Sequence, residues 1–406
     1  MKLLKYISII GTTTLLITSI HAADDLDDKS LESILNETIE LKAEIGSREQ
    51  AKNFLDSKSP VDVITAIQIE ESGQTKLTNV LKYFVPGFNT IETSVADGSD
   101  HLNSFTLRGM NSDQILVLVN GKRLHTSALM HEISNISGGT THVDLNTIPV
   151  VAIEKIEILR DGAAAQYGTD AIAGVISIVL KAKSDKNTIS LHIGQRKEGD
   201  GEQAQLDSFI STPLNYDGFV NLSISANLQN RTQRAGKDRR LDPPSVQTRM
   251  GLPDSKNISA VLNTEIVQYN DNVIYSNAML SYRDSESSTF YRIPDENRAV
   301  YPNGFLPIMN AKILDYSFTL GAKGRFSDDT QRDISNVYGY NNFHYYLNDT
   351  MNYTLGALSP TRFDNGNLTY IQNTTNFDLK KSMGKFNFAA GLEYRYENYK
   401  IEAGDE

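Results

Sequence analysis

Four of the seven histidines lie close together in the chain: His101, His125, His131 and His142. Imidazole nitrogens are good ligands for transition metals and for haem iron, but in loops they also hydrogen-bond to backbone or water. The sequence leaves both roles open. The polar stretch "GKRLHTSALMHEISNISGGTTH", residues 121–142, has the length and glycine content of a loop that carries recognition.

Catalytic motifs are missing from the sequence. It has no Gly-x-Ser-x-Gly turn and no Gly-x4-Gly-Lys loop, and no second histidine stands four positions after His131. The chain contains no Cys, which excludes thiol catalysis, disulfides and thiolate metal sites. We therefore expect a binding protein rather than an enzyme, with no cofactor and no metal centre.

Length and charge narrow the class of protein further. A chain of 406 residues exceeds one ordinary domain, so two or more are expected. Its formal net charge is −11 and no Lys/Arg-rich block stands out, so no nucleic-acid partner is expected. Beyond the N-terminus no apolar run reaches about 18 residues, the length that a spanning helix needs.

The N-terminus has the three parts of an export signal. Lys2 and Lys5 precede the apolar stretch "YISIIGTTTLLITSI", and the small residues of "HAADD" follow it. We predict a cleaved signal peptide over residues 1–22 and therefore an exported protein. Residues 23–59 are polar and weakly patterned, which predicts a flexible tether.

Within this tether lies the short segment "ETIEL". Threonine, isoleucine and leucine give it some extended propensity without enough apolar area to fold alone. Such a segment can add as a strand to the exposed sheet edge of a partner, or it can begin the next domain. Its residues are Glu37, Thr38, Ile39, Glu40 and Leu41.

Residues 60–183 have the pattern of a compact α/β domain. The stretches "FTLRG", "ILVLVNGKRL" and "AIEKIEILRDG" predict strands that end at glycine turns. A short helix is predicted near residues 77–83, stopped by Pro86-Gly87, and "GVISIVLK" closes the unit. We expect a small mixed sheet with short helices.

From residue 186 to residue 406, apolar and polar residues alternate in the manner of strands. In "FVNLSISANLQ" and in "FNFAAGLEYRY" every second residue is apolar, so one face of each strand is apolar. Short breaks such as "NYDG" alternate with long polar ones. Secreted β-sandwiches also alternate, but the loop asymmetry and the export signal favour an antiparallel all-β transmembrane barrel.

The stretch "LRDGAAAQYGTDAIAGVISIVLK" is similar to the plug signature of TonB-dependent outer-membrane receptors. "FTLRGM", "VLVNGKRLH" and "VDLNTIPVVAIEKIEILRDG" resemble the preceding plug motifs of that family, in the same order, and "ETIEL" resembles a TonB box. The resemblance implies a plug domain over residues 60–183, seated inside a barrel whose N-terminal part is residues 186–406. The signature turns would be formed by Gly109, Gly162, Tyr167, Gly168 and Gly174.

The resemblance also implies a function. Receptors of this family import a scarce ligand across the cell outer membrane, with a TonB-like periplasmic protein driving the plug, so outer-membrane lipid and a small ligand would be further partners. A ferric-siderophore or other iron complex is the first expectation for the ligand. The alternatives are a secreted or surface β-rich binding or adhesion protein without transport, and a non-functional truncated receptor.

Plug loops would contact the ligand. The residues expected on that side are His101, Lys122, Arg123, His125, His131 and His142. "DGSDH", residues 97–101, would be a second such loop or only an acidic turn.

Two plug arginines are candidates for holding the plug in the barrel. Arg108 and Arg160 each follow an apolar strand and precede a glycine turn. Between plug and barrel wall each would be desolvated and would need a carboxylate partner, whereas strand-end arginines facing water would need none. The resemblance implies an arginine–glutamate lock, in which Glu393 of "GLEYRYE" is the candidate partner.

Residues 186–406 are too few to form a complete barrel of this family. A plugged transporter barrel has about 22 strands of roughly 10 residues each, or about 220 residues before any turn. Residues 186–406 also contain several long loops, so we expect only about eight to ten strands there. We therefore expect an incomplete barrel, and a chain that is the N-terminal portion of a longer receptor.

Overall fold

The computed structural model describes residues 42–43, 52–53, 61–132, 136–268, 272–294, 300–326, 330–383 and 386–405. The predicted signal peptide and the TonB-box-like segment 37–41 lie outside the described residues. Within the predicted tether, strands β1 (Lys42–Ala43) and β2 (Lys52–Asn53) pair antiparallel.

Residues 61–183, called the plug below, combine two small sheets with short helices. The strands are β3 (Val61–Thr65), β4 (Phe88–Ile91), β5 (Ser104–Leu107), β6 (Met110–Asn111), β7 (Ile115–Val119), β8 (Lys122–Arg123), β9 (Ile153–Leu159) and β10 (Gly174–Leu180). The helices are α1 (Ala66–Glu71), α2 (Leu77–Phe84) and α3 (Ala164–Tyr167). Among the described residues, no helix is long and apolar enough to cross a membrane.

The main plug sheet is mixed and is buried on both faces. Its strand order is β3-β9-β10-β7-β8, and β10 pairs parallel with β7 and antiparallel with β9. All residues of β7 are buried, as the unbroken apolar run "ILVLV" predicts. Helix α2 packs Leu77, Val80 and Leu81 into the larger core cluster, whereas Leu116 and Val175 lie in a second, smaller one.

Two signature glycines have a steric reason to be glycine. Gly174 has φ +153°, and a Cβ there would overlap the carbonyl oxygen of Leu159 on the paired strand β9. Gly168 has φ +96° at the end of helix α3. Side chains other than hydrogen are disfavoured in this backbone region, so the small residues allow the chain to turn tightly into β10.

Residues 188–402 form one antiparallel sheet of nine strands in sequence order. These are β11 (Thr188–Gly194), β12 (Gln203–Pro213), β13 (Phe219–Gln229), β14 (Asp254–Val267), β15 (Val273–Ser288), β16 (Ile308–Arg325), β17 (Gln331–Asn348), β18 (Arg362–Met383) and β19 (Phe386–Glu402). The sheet is not closed, since β11 and β19 are its edges. The predicted fold class, an α/β plug followed by an incomplete antiparallel barrel, is confirmed.

The alternation in sequence corresponds to two unlike faces of this sheet. The face toward the plug carries buried polar side chains: Asn221, Ser223, Asn263, Asn277, Ser281, Ser317, Thr319, Ser335 and Thr374. The outward face carries exposed apolar ones: Leu206, Ile210, Leu222, Ile258, Leu262, Leu280, Phe318, Leu320 and Ile334. This is the pattern of a barrel wall whose outer face meets lipid.

The connections between strands are unequal at the two ends of the sheet. One end has the connections 214–218, 268–272, 326–330 and 384–385, and is called the short-turn side. The other end has the connections 195–202, 230–253, 289–307 and 349–361, and is called the long-loop side. Short turns on one side and long loops on the other are typical of outer-membrane barrels.

Candidate functional site between plug and barrel wall

A buried arginine of the barrel wall holds two segments of the plug. Arg283 lies on β15, and its guanidinium forms an ion pair of 2.7 Å with the carboxylate of Asp144. The same group donates to the carbonyl oxygen of His101 at 3.0 Å and to the side-chain oxygen of Asn257 at 2.8 Å. Because both charges are buried, the pair needs these extra hydrogen bonds to offset its desolvation.

One of these two segments is the loop of residues 92–103, called the apex loop below. Val95 and Asp97 have positive φ angles of 56° and 46°, followed by Gly98 at 103°. Such angles cost about 1–3 kcal/mol for a residue that is not glycine. Ser94 accepts a hydrogen bond from the backbone of Gly251 in the long loop 230–253, at 3.2 Å. The apex loop therefore lies on the long-loop side, with Asp97 exposed.

Tyrosine Tyr345 of β17 fixes the middle of the apex loop. A Cβ on Gly98 would overlap the Tyr345 hydroxyl, and the φ of +103° is itself unfavourable for other residues, so glycine is favoured beside this ring. Phe343 packs against Tyr345 with ring centroids 4.5 Å apart, and both contact a small apolar cluster that includes Leu102 and Leu129. The loop is thus clamped between β15 and β17.

A polar cavity of about 80 Å³ lies below the apex loop, between the plug and strands β12 to β15. Lys76 lines it, donates to the side chain of Gln229 at 3.0 Å, and lies 3.7 Å from the carboxylate of Glu92. Burial lowers the pKa of Lys76, and Glu92 partly opposes that shift. A cavity of this size and polarity has room for several water molecules.

His101 and His125 tie the plug to barrel strands. The Nδ1 of His101 lies 2.8 Å from the hydroxyl of Ser285, and the Nε2 of His125 lies 3.1 Å from the carboxylate of Asp315. Burial lowers the pKa of His101. These two imidazoles are therefore engaged in the interface between plug and wall.

His131 and His142 stack on each other inside the plug, with ring centroids 4.4 Å apart and planes 8° from parallel. The Nδ1 of His131 lies 2.8 Å from the hydroxyl of Ser99, and the Nδ1 of His142 donates to the carbonyl oxygen of Val143 at 2.9 Å. Burial and the neighbouring His142 lower the pKa of His131 to about 3. Among the described residues, no three His, Asp or Glu side chains are arranged to hold a metal ion.

A second charged group lies nearer the short-turn side. Arg123 forms an ion pair with Asp170, donates to the carbonyl of Tyr167 at 2.8 Å, and lies 3.8 Å from the carboxylate of Glu393 on β19. Arg395 of β19 also reaches Asp170, at 3.1 Å. Burial would raise the pKa of Asp170, but the guanidiniums of Arg123 and Arg395 more than offset it and hold that pKa below its usual range.

Lys122 makes a similar link beside this group. Its ammonium lies 3.3 Å from the carboxylate of Asp333 on β17. Asp333 in turn accepts a hydrogen bond from the hydroxyl of Tyr275 on β15, at 2.6 Å. Of the residues expected on the ligand side, Lys122 and Arg123 thus contact the barrel wall.

The expected pairing of Arg108 and Arg160 with Glu393 is not formed. Arg160 directly follows β9, beside β3, where its guanidinium lies 2.6 Å from the carboxylate of Asp62. Arg108, in the tight β5-β6 turn, donates to the carbonyl of Arg160. Glu393 faces Arg123 instead. The sequence at a strand end does not show which barrel residue will lie opposite it. It could therefore not identify the partner of either arginine.

Three residues of the site were missed by sequence reasoning: Arg283, Asp144 and Asp170. Arg283 carried a signal, since it stands at a plug-facing position of an alternating strand, where its neighbours are serine and asparagine. A charge at such a position needs a buried partner. The two aspartates had no comparable signal, because neither lies in a strand whose alternation would show which way its side chain points.

Comparisons with known proteins agree with this architecture. A family model described as TonB-dependent Receptor Plug Domain matches residues 54–175. The chain is 38% identical over 152 residues to the vitamin B12 transporter BtuB of Vibrio vulnificus. The aligned residues make up 37% of this chain and 21% of that relative. The chain thus matches only about a fifth of the length of this curated relative.

Solved structures match over most of the chain. A variant of the ferric enterobactin receptor PfeA of Pseudomonas aeruginosa superimposes with a TM-score of 0.60 at 16% identity, covering 84% of this chain and 49% of that one. The siderophore receptor PirA of Acinetobacter baumannii gives a TM-score of 0.55 at 20% identity, covering 84% of this chain and 48% of that one. At these identities the likeness is one of fold.

The chain spans about half the length of these solved receptors. Its relatives are receptors and transporters, which are not enzymes, in agreement with the lack of catalytic motifs. The plug motifs, the plug-family match and the fold agree with one another: residues 54–175 match the plug domain of TonB-dependent receptors, and the chain has the fold of the N-terminal part of these solved receptors.

Proposed function

We propose that the receptor containing this chain actively imports a scarce ligand across the outer membrane. The long-loop side faces outward in this proposal, and the ligand binds on the apex loop beneath the long loops. The observation that carries the proposal is the apex loop itself. Its strained backbone contacts the long loop 230–253 above and the barrel arginine Arg283 below. Strain of this kind is concentrated at ligand-binding and switch regions.

A TonB-like periplasmic protein is the proposed source of force. Residues Glu37 to Leu41 would add as a strand to a sheet edge of that partner. The tether leads from there to β3, which lies at the edge of the plug sheet and pairs only with β9 among the described strands. An edge strand with a single neighbour can be pulled away by breaking one row of hydrogen bonds, so force on the tether would act first on β3.

An iron complex, such as a ferric siderophore, is the first candidate for the ligand. Two of the structural relatives are named as receptors for ferric enterobactin and for siderophores, and they support this choice through fold alone. Cobalamin is the second candidate, because the relative that is 38% identical is named a vitamin B12 transporter. That identity covers 37% of the chain, whereas the siderophore receptors superimpose on 84% of it.

The test is uptake by cells that lack their own receptors and express this one. Radiolabelled ferric siderophores and radiolabelled cobalamin are supplied separately, and uptake is compared with that of the Ile39→Pro variant. Proline removes a backbone donor from the proposed added strand and should abolish uptake without abolishing binding. Uptake of neither ligand class, by a receptor that is present in the outer membrane, would favour a binding or adhesion protein without transport.

A further inference from the structure

Two cations share one tyrosine ring on the outward face of the barrel wall. The ammonium of Lys312 on β16 lies 5.0 Å from the centre of the Tyr346 ring, and the guanidinium carbon of Arg362 on β18 lies 5.9 Å from it. Among the described residues, neither cation has a carboxylate within ion-pair distance. Two positive charges that are held beside one ring without an ion-pair contact favour an anionic ligand.

The burial of neighbouring residues shows that the cations and the tyrosine ring point outward. Ala311 and Ile313 are buried toward the plug, so Lys312 between them points outward. Tyr345 lies under the apex loop, so Tyr346, the next residue, also points outward. This pair of cations, with Tyr346 between them, therefore faces away from the plug and cannot contact a ligand on the apex loop.

Outward tyrosines on β16 and β17 show where the two cations lie relative to the membrane border. Tyr316, Tyr338 and Tyr340 stack on the outward face, with ring centroids 4.8 Å and 6.1 Å from Tyr316. Outward tyrosines of a barrel mark the border between hydrocarbon and headgroups. Lys312 lies about 13 Å farther along β16 toward the long-loop side, at about 3.3 Å per residue. The cations are therefore beyond the border, where lipid headgroups lie.

The carboxylates on this face have other partners. Asp364 accepts hydrogen bonds from His344 at 2.7 Å and from the backbone of Gly366 at 2.8 Å. Asp284, directly opposite Lys312 in the sheet, accepts from the amide of Asn310 at 2.8 Å. A lysine supplies a point charge and an arginine supplies a planar fork, and together they suit a phosphate group.

We infer that Lys312, Arg362 and Tyr346 form a site for the phosphate of an outer-leaflet lipid headgroup. The site is separate from the proposed ligand site, and it rests on the proposed outward orientation of the long-loop side. Its role would be to fix the receptor's height and rotation in the membrane through a bound lipid. The chemistry could equally recognise free phosphate, so the experiment must distinguish the two sources.

The experiment is native mass spectrometry of the detergent-purified receptor with added diphosphoryl lipid A, with the same glycolipid without phosphates, and with inorganic phosphate. The tested variant carries Lys312→Gln and Arg362→Gln. The matched control is Arg332→Gln, since Arg332 lies 4.5 Å from the ring of Phe326 but at the short-turn end of β17. Heat-modifiable migration on gels confirms that each variant is folded.

We expect the double variant to bind diphosphoryl lipid A at least about tenfold more weakly, the loss that about 1.4 kcal/mol represents, while the control binds like the unaltered receptor. Removing the phosphates from the lipid should give the same loss. Equal binding by the double variant, or no preference for the phosphorylated lipid, would overturn the inference. Displacement of the lipid by millimolar inorganic phosphate would overturn the assignment to lipid. None of these readouts depends on import, so their failure leaves the proposed transport function untouched.

Discussion

Arg283 of the barrel wall and Asp144 of the plug form a buried ion pair of 2.7 Å. The arginine also holds the carbonyl of His101 in the apex loop. One barrel side chain thus connects the apex loop, where the ligand is proposed to bind, with a second plug segment. Any displacement of the apex loop changes the surroundings of this pair.

We predict that Arg283→Gln loosens the plug. Removing one partner of a buried pair leaves the other charge uncompensated and costs about 3–5 kcal/mol. Unfolding of the purified receptor in guanidinium chloride should show this loss, and Arg332→Gln, at the rim of the same sheet, should shift stability by less than about 1 kcal/mol. Equal stabilities of the two variants would mean that the pair contributes little to holding the plug.

Gly174→Ala should disrupt the plug sheet. The new Cβ would overlap the carbonyl oxygen of Leu159, and the φ of +153° is itself unfavourable for alanine. Gly109→Ala is the matched control, because Gly109 also has a positive φ, of +79°, but an added Cβ there would have no atom within 4 Å. Limited proteolysis should cleave the first variant within the plug and spare the second.

The pH dependence of plug stability should include a contribution from Asp170. Burial opposes ionisation of its carboxyl, but Arg123 and Arg395 hold its pKa below the usual value, so its contribution is present above the pKa of the unfolded chain. That contribution is lost as the pH falls through the lower pKa of the folded state. The stability difference between the unaltered receptor and Asp170→Asn should therefore be largest near pH 7 and should shrink in acid. A difference that stays constant from pH 7 to about pH 3 would contradict this prediction.

His131 should resist protonation in the folded plug. Burial lowers its pKa from 6.5 to about 3, so below pH 6.5 the unfolded chain binds a proton that the folded chain does not. Stability then falls with acid, by about 2 kcal/mol at pH 5 for this residue alone. An NMR titration of His131 should show a neutral ring at pH 5, and a midpoint near 6.5 would show that the ring is accessible to protons.

Sequence reasoning reached the fold because its signals were local. The alternation in "FVNLSISANLQ" predicted which side chains of β13 would face outward, and the structure places Leu222 outward and Asn221 toward the plug. The glycine pattern before β10 predicted tight turns, and Gly168 and Gly174 have the positive φ angles that such turns require. Both features depend only on neighbours along the chain.

The contacts between plug and wall could not be predicted in this way. Which strand faces Arg123 depends on how the plug is rotated inside the sheet, a relation between residues that are far apart in sequence. The sequence therefore pairs Glu393 with the wrong arginines, and it does not predict the stacking of His131 on His142. A ligand-side loop is only one of the two interpretations that "DGSDH" allows, because the strained angles at Val95 and Asp97 have no sequence signal.

We propose above all that the plug must move for the ligand to pass, and a reversible cross-link tests this most directly. The chain has no Cys, so His125→Cys and Gly339→Cys would introduce the two cysteines of one plug–wall pair. A Cβ at Gly339 would lie 2.6 Å from that of His125, so the two backbones must separate by about 1 Å to reach the distance of about 3.5–4.5 Å that a disulfide requires. We expect the oxidised receptor to bind its ligand without importing it, and a reductant to restore uptake. Undiminished uptake with the disulfide fully formed would contradict a plug that gates transport by leaving this wall.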